Sequence, residues 1–338
     1  MATQETQILD EVIAKSRRQM LTLGGAALAG MAIHSIAKAQ TTALTDTDYL
    51  NFALNLEYLE ANFYTLAASG QTIDQAGITL TGTGTQGTVT VKGGGAAACK
   101  VPFTNTLVQS YAMEIAMEER NHVTFLRGAL STAAVAQPAI DLVNSFNGLA
   151  TLLGLGLSSF DPFANDISFL LGSYIFEDVG VSAYTGAAPL LTSSSNLDAA
   201  AGIQGVEAYH AGLVRTVIYG LDQSATTLGQ PGTASAVASA ISKLRATVDG
   251  SDSISSTRLD GNDIGLGTQS VTLNGTSGMT ASTLVNATTT GSINAAGSSG
   301  TAGSMVFARS AAQVLAIVYA GGSGKGGFFP AGLNGNVK

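Results

Sequence analysis

Two short stretches, Glu119-Arg-Asn-His122 and Glu207-Ala-Tyr-His210, hold the residues best suited to chemistry. Residues three apart on a helix share a face, so each Glu and its His can bind one cation side by side. After residue 39 the chain has only these two histidines; His34 falls in a leader. Glutamate is scarce there as well: Glu57, Glu60, Glu114, Glu118, Glu119, Glu177 and Glu207. A Glu at i−3 of both histidines in so sparse a set points to joint ligation from a helix face.

A second register repeats around the first. Tyr64 follows Glu57 by seven residues, and Tyr184 follows Glu177 by seven. Seven residues is nearly two turns, so each pair stacks on one face. Arg127 follows Glu119 by eight residues and Arg215 follows Glu207 by eight. A Glu…Tyr helix and then a Glu-x-x-His…Arg helix therefore occur twice. Glu57 and Glu60 are both placed to ligate, but only Glu57 matches Glu177 in register with its Tyr. The expected metal ligands are Glu57, Glu119, His122, Glu177, Glu207 and His210. Four carboxylates and two imidazoles from four helices are the donor set of two-metal carboxylate bundles. They neutralise two divalent ions, and oxygen and nitrogen donors without sulfur suit iron first, manganese as the alternative. Tyr64 and Tyr184 either hydrogen-bond to ligand carboxylates or serve as core aromatics with a polar tip. Arg127 and Arg215 either balance buried carboxylates or stay solvated. Glu60, Glu114 and Glu118 read as surface residues or neighbours of the ligands, and Met113 and Met117 as core.

Four long helical segments must position these groups. The first, 46–68, carries a core stripe of Leu56, Leu59, Phe63 and Leu66. The second, 105–130, carries Glu119 and His122; the third, 165–187, Glu177 and Tyr184; the fourth, 195–220, Glu207 and His210. Residues 131–165 form a long crossover with a short helix near 140–153. Two short connections flanking one crossover predict an all-α four-helix bundle of the ferritin-like kind, spanning residues 40–248. Within it, 70–103 is an insertion in which Ile78-Thr-Leu-Thr81 and Thr88-Val-Thr-Val91 alternate around glycines, which suggests a β-hairpin. Another helix is expected over 234–248. Residues 249–304, rich in Ser, Gly, Thr and Asn, read as a surface loop, partly disordered or weakly β. Periodicity returns over 307–320, and the C-terminal segment 305–338, with its extra helix and turn-rich tail, is expected to dock on the bundle.

Residues 1–39 read as an export leader. Ser16-Arg17-Arg18-Gln19-Met20-Leu21 is a twin-arginine pattern, a weakly apolar run follows, and Ala37-Lys38-Ala39 gives a small-x-small cleavage site. The apolar run is too short and too rich in glycine to span a bilayer. The expectation is export by the twin-arginine route to the periplasm or beyond, with no stable membrane insertion after cleavage. The whole chain has a formal net charge of −8, and setting aside the leader's four basic and three acidic residues leaves about −9. Such a surface disfavours nucleic acid and anionic membrane. Cys99 is the only cysteine, so an internal disulfide and a thiolate metal cluster are excluded.

The chain resembles the ferritin-like superfamily, and within it an exported branch akin to plant desiccation-related proteins. The residues that carry the resemblance are 54–64 (Leu-Asn-Leu-Glu-Tyr-Leu-Glu-Ala-Asn-Phe-Tyr), 118–126 (Glu-Glu-Arg-Asn-His-Val-Thr-Phe-Leu), Glu177 and Glu207-Ala-Tyr-His210. Phe307-Ala-Arg and residues 326–335 also resemble that branch's C-terminal segment. The resemblance implies that Glu119 and Glu207 bridge two metals, with Glu57 and His122 at one end and Glu177 and His210 at the other. The insertion and the long C-terminal extension depart from a bundle that packs into a storage shell. The activity expected first is oxidation of Fe²⁺, or consumption of O₂ or peroxide, in stress or metal protection. A manganese catalase is the enzymatic variant. The alternative is a non-enzymatic protective or cell-surface scaffold with a structural or vestigial metal site. A homo-oligomer fits either reading.

Overall fold

The computed structural model divides the chain into Met1–Ala43 and Leu44–Lys338. It describes residues 43–153, 159–224, 233–250, 263, 265–266, 268–271, 282–285, 290–291, 305–306 and 308–338. The leader and most of 249–304 lie outside the described residues. The helical bundle lies in the second unit.

Helix α1 spans Asp46–Ser69, and α2 spans Thr106–Leu130. After a short α3, Asn144–Leu152, come α4, Asp166–Ala187, and α5, Ser194–Ser224. The bundle pairs α1 with α2 and α4 with α5. The ends are set by local chemistry. The Thr45 N–H donates to the Asp48 carboxylate at 2.7 Å at the start of α1. Gly70 stops α1 in the left-handed region at φ +74°, its N–H returning to Leu66 O. Asn105 and Asn165 cap α2 and α4 by accepting from backbone N–H groups two or three residues on. The Asp46 carboxylate accepts from Thr192, Ser193 and Asn196, which ties the start of α1 to the turn between α4 and α5.

Residues Leu50–Ala67 of α1 are buried on almost every side, because more than the bundle covers them. Phe63 is the hub of an aromatic cluster, with Tyr64, Phe146, Phe163, Phe169 and Phe176 at ring separations of 5.0–5.9 Å. From the C-terminal tail, Phe328 joins it at 4.9 Å from Phe176 and 5.2 Å from Phe146. Asn334 N–H donates to Asn55 Oδ1 at 3.1 Å, and the Asn55 side-chain amide donates to Asn334 O at 2.9 Å. Residues 308–310 precede the C-terminal helix, Ala311–Val318, which begins later than its periodicity suggests, at a Ser310–Gln313 capping box.

The insertion does form β-structure, but its arms do not pair with each other. Val89–Thr90 runs parallel to Ile140–Asp141 of the crossover, and Thr83 bridges Val135, also in parallel. Gly82 and Gly87 explain the choice. A Cβ at 82 would lie 2.3 Å from Ala134 O, and one at 87 would lie 2.1 Å from Ala139 N. The glycines that suggest hairpin turns instead let two backbones come together. Within 249–304, which reads as a loop, partly disordered or weakly β, 268–271 pairs antiparallel with 282–285, and 290–291 pairs antiparallel with 305–306 at the start of the C-terminal segment.

A chain of buried ions lies along the outer side of α4. Arg215 donates twice to Asp178, at 3.0 and 2.8 Å. Arg245, on the helix Thr233–Val248, bridges Asp178 and Asp263 at 2.6 and 2.7 Å. Arg309 bridges Asp263 and Asp249 at 2.6 and 2.8 Å. Three guanidinium groups thus meet three carboxylates. Removing one partner of a buried pair strands the other charge. Arg245→Met is expected to cost about 3–5 kcal/mol of unfolding free energy, read from the denaturant midpoint; a loss below about 1 kcal/mol would show that the network is slack.

Candidate metal centre

All six residues expected as ligands converge in the bundle interior. Glu57 comes from α1, Glu119 and His122 from α2, Glu177 from α4, and Glu207 and His210 from α5. None exceeds 7 % exposure, and Glu119, Glu177 and His210 have none. The sequence turns them inward because they share helix faces with core residues. Glu119, for example, lies on the stripe of Ala112, Ile115, Ala116, Val123 and Leu126.

His122 Nδ1 lies 3.2 Å from Glu57 Oε2, 3.5 Å from Glu119 Oε2 and 3.6 Å from Glu207 Oε1. His210 Nδ1 lies 3.2 Å from Glu119 Oε1 and 3.3 Å from Glu177 Oε2. Glu119 therefore presents one oxygen to each imidazole. The partners also fix helix direction. Glu119 faces His210 while His122 faces Glu207, so rising numbers on α2 meet falling numbers on α5, an antiparallel pair related by a local two-fold.

Tyr64 and Tyr184 obey the same two-fold, each hydrogen-bonding to a carboxylate of the centre. Neither tyrosine serves the Glu on its own helix. Tyr64 donates to Glu177 Oε1, and Tyr184 donates to Glu57 Oε1 at 2.5 Å. Seven residues is about 10 Å along a helix axis, beyond hydrogen-bond reach, whereas the antiparallel neighbour brings the partner alongside. Each Tyr thus fixes one carboxylate oxygen and leaves the other facing the centre.

The electrostatics suit cations. Ten buried side-chain polar atoms lack a hydrogen-bond partner among the described residues, and nine belong to Glu57, Glu60, Glu119, His122, Glu177, Glu207 and His210. The short contacts to Nδ1 are close without hydrogen-bond alignment, the pattern expected of donor atoms arranged around ions. His210 Nε2 pairs with Glu118 Oε2 at 2.6 Å. An Nε2–H donating there leaves the Nδ1 lone pair directed at the centre. Burial opposes protonation of His122, but Glu57 and Glu119 outweigh it and raise the imidazole to about 12. His210 rises likewise, through Glu177 and Glu119. Burial lifts Glu57 to about 7 and lifts Glu177 and Glu207 above the usual range. For Glu119 burial acts the same way but loses to the two imidazoles, which hold it low. The donor set fits two divalent ions, one at each imidazole, with Glu119 reaching both.

Several expectations need correction. Glu60 is not a surface residue. It is 7 % exposed, its Oε2 is unpartnered, and it groups with Glu177 and Glu207. The sequence does carry a signal for it, since Glu57-x-x-Glu60 repeats the spacing of Glu-x-x-His. Matching the two halves hides that signal, because Gly180 stands at the equivalent place. Arg215 is buried and balances a buried carboxylate, as one of its two readings has it, but that carboxylate is Asp178 and not one of the centre's. Arg127 donates to Tyr58 and to Thr81 O, and Arg215 to Asp178. Each reaches the residue next to a Glu of the centre, 58 after Glu57 or 178 after Glu177, so the two arginines are themselves related by the two-fold. Met113 and Met117 are 58 % and 49 % exposed; they sit one residue away from the buried stripe of α2. Glu114 stays at the surface, accepting from Tyr209.

Two measurements check this centre. A Cβ on Gly180 would lie 2.1 Å from Glu207 Oε2, so Gly180→Ala should displace that carboxylate and lower metal bound per chain by at least about half. Gly128→Ala, where nothing lies within 4 Å, should leave metal content unchanged; equal content in both variants would refute the packing argument. Ligation requires neutral imidazoles, while the metal-free centre holds them protonated. Acid therefore favours the metal-free form, and Mn²⁺ affinity should fall about tenfold per pH unit for each proton displaced. Calorimetry in buffers of different ionisation enthalpy measures that release; no release would show that the imidazoles are already neutral.

The family model for the ferritin-like domain matches residues 45–220. A desiccation-related protein from Craterostigma plantagineum, PCC13-62, is 32 % identical over 180 residues, covering 52 % of this chain and 53 % of its own. A ferritin-like catalase from Nesocodon mauritianus, Nec2, is 26 % identical over 177 residues, with the same coverage. The chain thus spans about half the length of these relatives. No solved structure matched it. The matched span takes in all four bundle helices up to Gly220 and every residue of the buried Glu/His centre, and the chain belongs to the ferritin-like domain family.

Proposed function

We propose that the chain is an exported two-metal carboxylate protein that carries out two-electron chemistry on an O–O bond, with hydrogen peroxide as first substrate and O₂ with Fe²⁺ as second. The observation that carries this reading is the pair of imidazole-bearing groups joined by Glu119, whose donor atoms lack protein partners. Two adjacent iron or manganese ions, when bound, would exchange two electrons, given to one peroxide as it is reduced to water and taken back from a second as it is oxidised to O₂. The relative named a catalase supports peroxide. The chain's own residues prepare the site. Tyr64 and Tyr184 orient Glu177 and Glu57, and Glu118 orients His210. Burial excludes bulk water and large substrates, and the His122 side chain, 9 % exposed, marks the side nearest solvent. Export folded by the twin-arginine route would let the site take its metal before it meets competing ions.

On metal-loaded protein, an oxygen electrode should record O₂ release from peroxide, in the ratio of one O₂ per two H₂O₂. Ferrous-dependent O₂ uptake is the second assay. His122→Ala and His210→Ala should each lower either rate at least about 100-fold. Rates unchanged in both variants would sink the redox reading.

The relative named for desiccation supports a second reading, in which the metal only staples the bundle. It predicts that chelation lowers the melting temperature while protection of a test enzyme during drying survives both His substitutions. Loss of protection in those variants would count against it.

A further inference from the structure

The buried donor atoms fall into three groups, not two: Glu57, Glu119, His122 and Glu207; Glu119, Glu177 and His210; and Glu60, Glu177 and Glu207. Within each group the atoms lie within 4.8 Å of one another, close enough to surround one ion. Each pair of groups shares one carboxylate. Glu119 joins the first and second, Glu177 the second and third, and Glu207 the first and third. The pattern is a triangle with a bridging carboxylate on every edge. Glu57 with His122, His210, and Glu60 are the donors private to each corner.

The third corner differs in chemistry. It offers only oxygen, which suits hard cations such as Mn²⁺, Mg²⁺ or Fe²⁺. Glu60 Oε2, Glu177 Oε2 and both Glu207 oxygens are buried without a hydrogen-bond partner. No Lys or Arg among the described residues pairs with Glu60, Glu177 or Glu207. Two divalent ions balance four of the five carboxylates and leave one for a proton or a further cation. The two-fold explains why there is one such corner and no second. The place equivalent to Glu60 is Gly180, and the Glu207 carboxylate occupies the space that a side chain would need. Glu60 is also the most exposed of the five carboxylates at 7 %.

The geometry points to a third cation position, held by Glu60 and sharing Glu177 and Glu207 with the pair at the imidazoles. It rests on the reading that the imidazole-bearing groups bind metal. The test counts Mn²⁺ on full-length exported protein stripped of metal, by calorimetric titration and by electron paramagnetic resonance of free Mn²⁺. Three equivalents in the wild type and two in Glu60→Gln, with the two tighter affinities unchanged, are expected. Gln matches Glu in size and removes a like charge, so a melting temperature of the metal-free variant no lower than that of the wild type checks its fold. Independently of any variant, crystals grown with Mn²⁺ should show a third anomalous peak beside Glu60. Two equivalents in both proteins would overturn the third position and leave the pair intact. Three in both would place the extra ion elsewhere and overturn it, and a fall from two to one would make Glu60 a ligand of the pair. No Mn²⁺ bound to the wild type would overturn both this position and the two-metal reading.

Discussion

The structure depends on one constraint: five carboxylates and two imidazoles are packed where protein offers them almost no partners. Unbalanced, such a cluster works against folding, since each buried carboxylate raises the energy of the others. Protons or cations must offset it. In the metal-free chain the protons sit on the imidazoles and on the carboxylates that burial pushes up, while Glu119, held between two imidazoles, stays ionised. Everything around the cluster limits its freedom. Two tyrosines fix two carboxylates, Glu118 fixes one imidazole, and Gly180 gives Glu207 its place. The centre is thus prepared in geometry before any ion arrives, and protons keep its place.

The local two-fold accounts for much of this economy. A helix pair that carries Glu…Tyr and Glu-x-x-His, set against its antiparallel copy, makes each half complete the other. Tyr64 serves the second half's Glu177, Tyr184 serves the first half's Glu57, and Glu119 reaches His210. The departures from symmetry matter as much. Glu60 corresponds to Gly180, Glu118 to Val206, and Tyr58 with Arg127 to Asp178 with Arg215. The first half therefore gives the centre extra carboxylates, and the second gives space and an ion network behind it.

What is legible in this chain as sequence divides along the same lines. Helices are legible because apolar spacing and Asn, Ser and Gly end signals act within a few residues, and the seven described helices fall where periodicity places them to within a few residues. The doubled register brings out the residues that converge, since a repeated spacing needs no knowledge of tertiary contact. Pairing across helices is not legible. Stacking on one helix does not say which carboxylate each Tyr reaches, because the partner lies on an antiparallel neighbour. Gly82 and Gly87 look like turns because close approach and turning favour the same residue. Met113 and Met117 look like core because one residue's rotation on a helix, about 100°, separates buried from exposed. Glu60 is masked by the symmetry that otherwise serves well.

The C-terminal extension follows from the same electrostatics. Residues 221–338 lie beyond the span that defines the family, yet they supply Arg245, Asp249, Asp263 and Arg309. These complete the ion chain that begins at Asp178, the residue next to Glu177. In the first half the equivalent place is Tyr58, whose hydroxyl meets Arg127 and needs no counter-charge chain. In the second half Arg215 alone could neutralise Asp178, but Arg245 adds a second cation, matched by Asp263, and Arg309 a third, matched by Asp249. Each added guanidinium thus meets a further carboxylate. The tail closes the other side through Phe328 and Asn334 against α1 and the crossover. The extension therefore holds α4 and α1 in place from outside while the tyrosines hold them from within, and the carboxylates between them have little room to move apart.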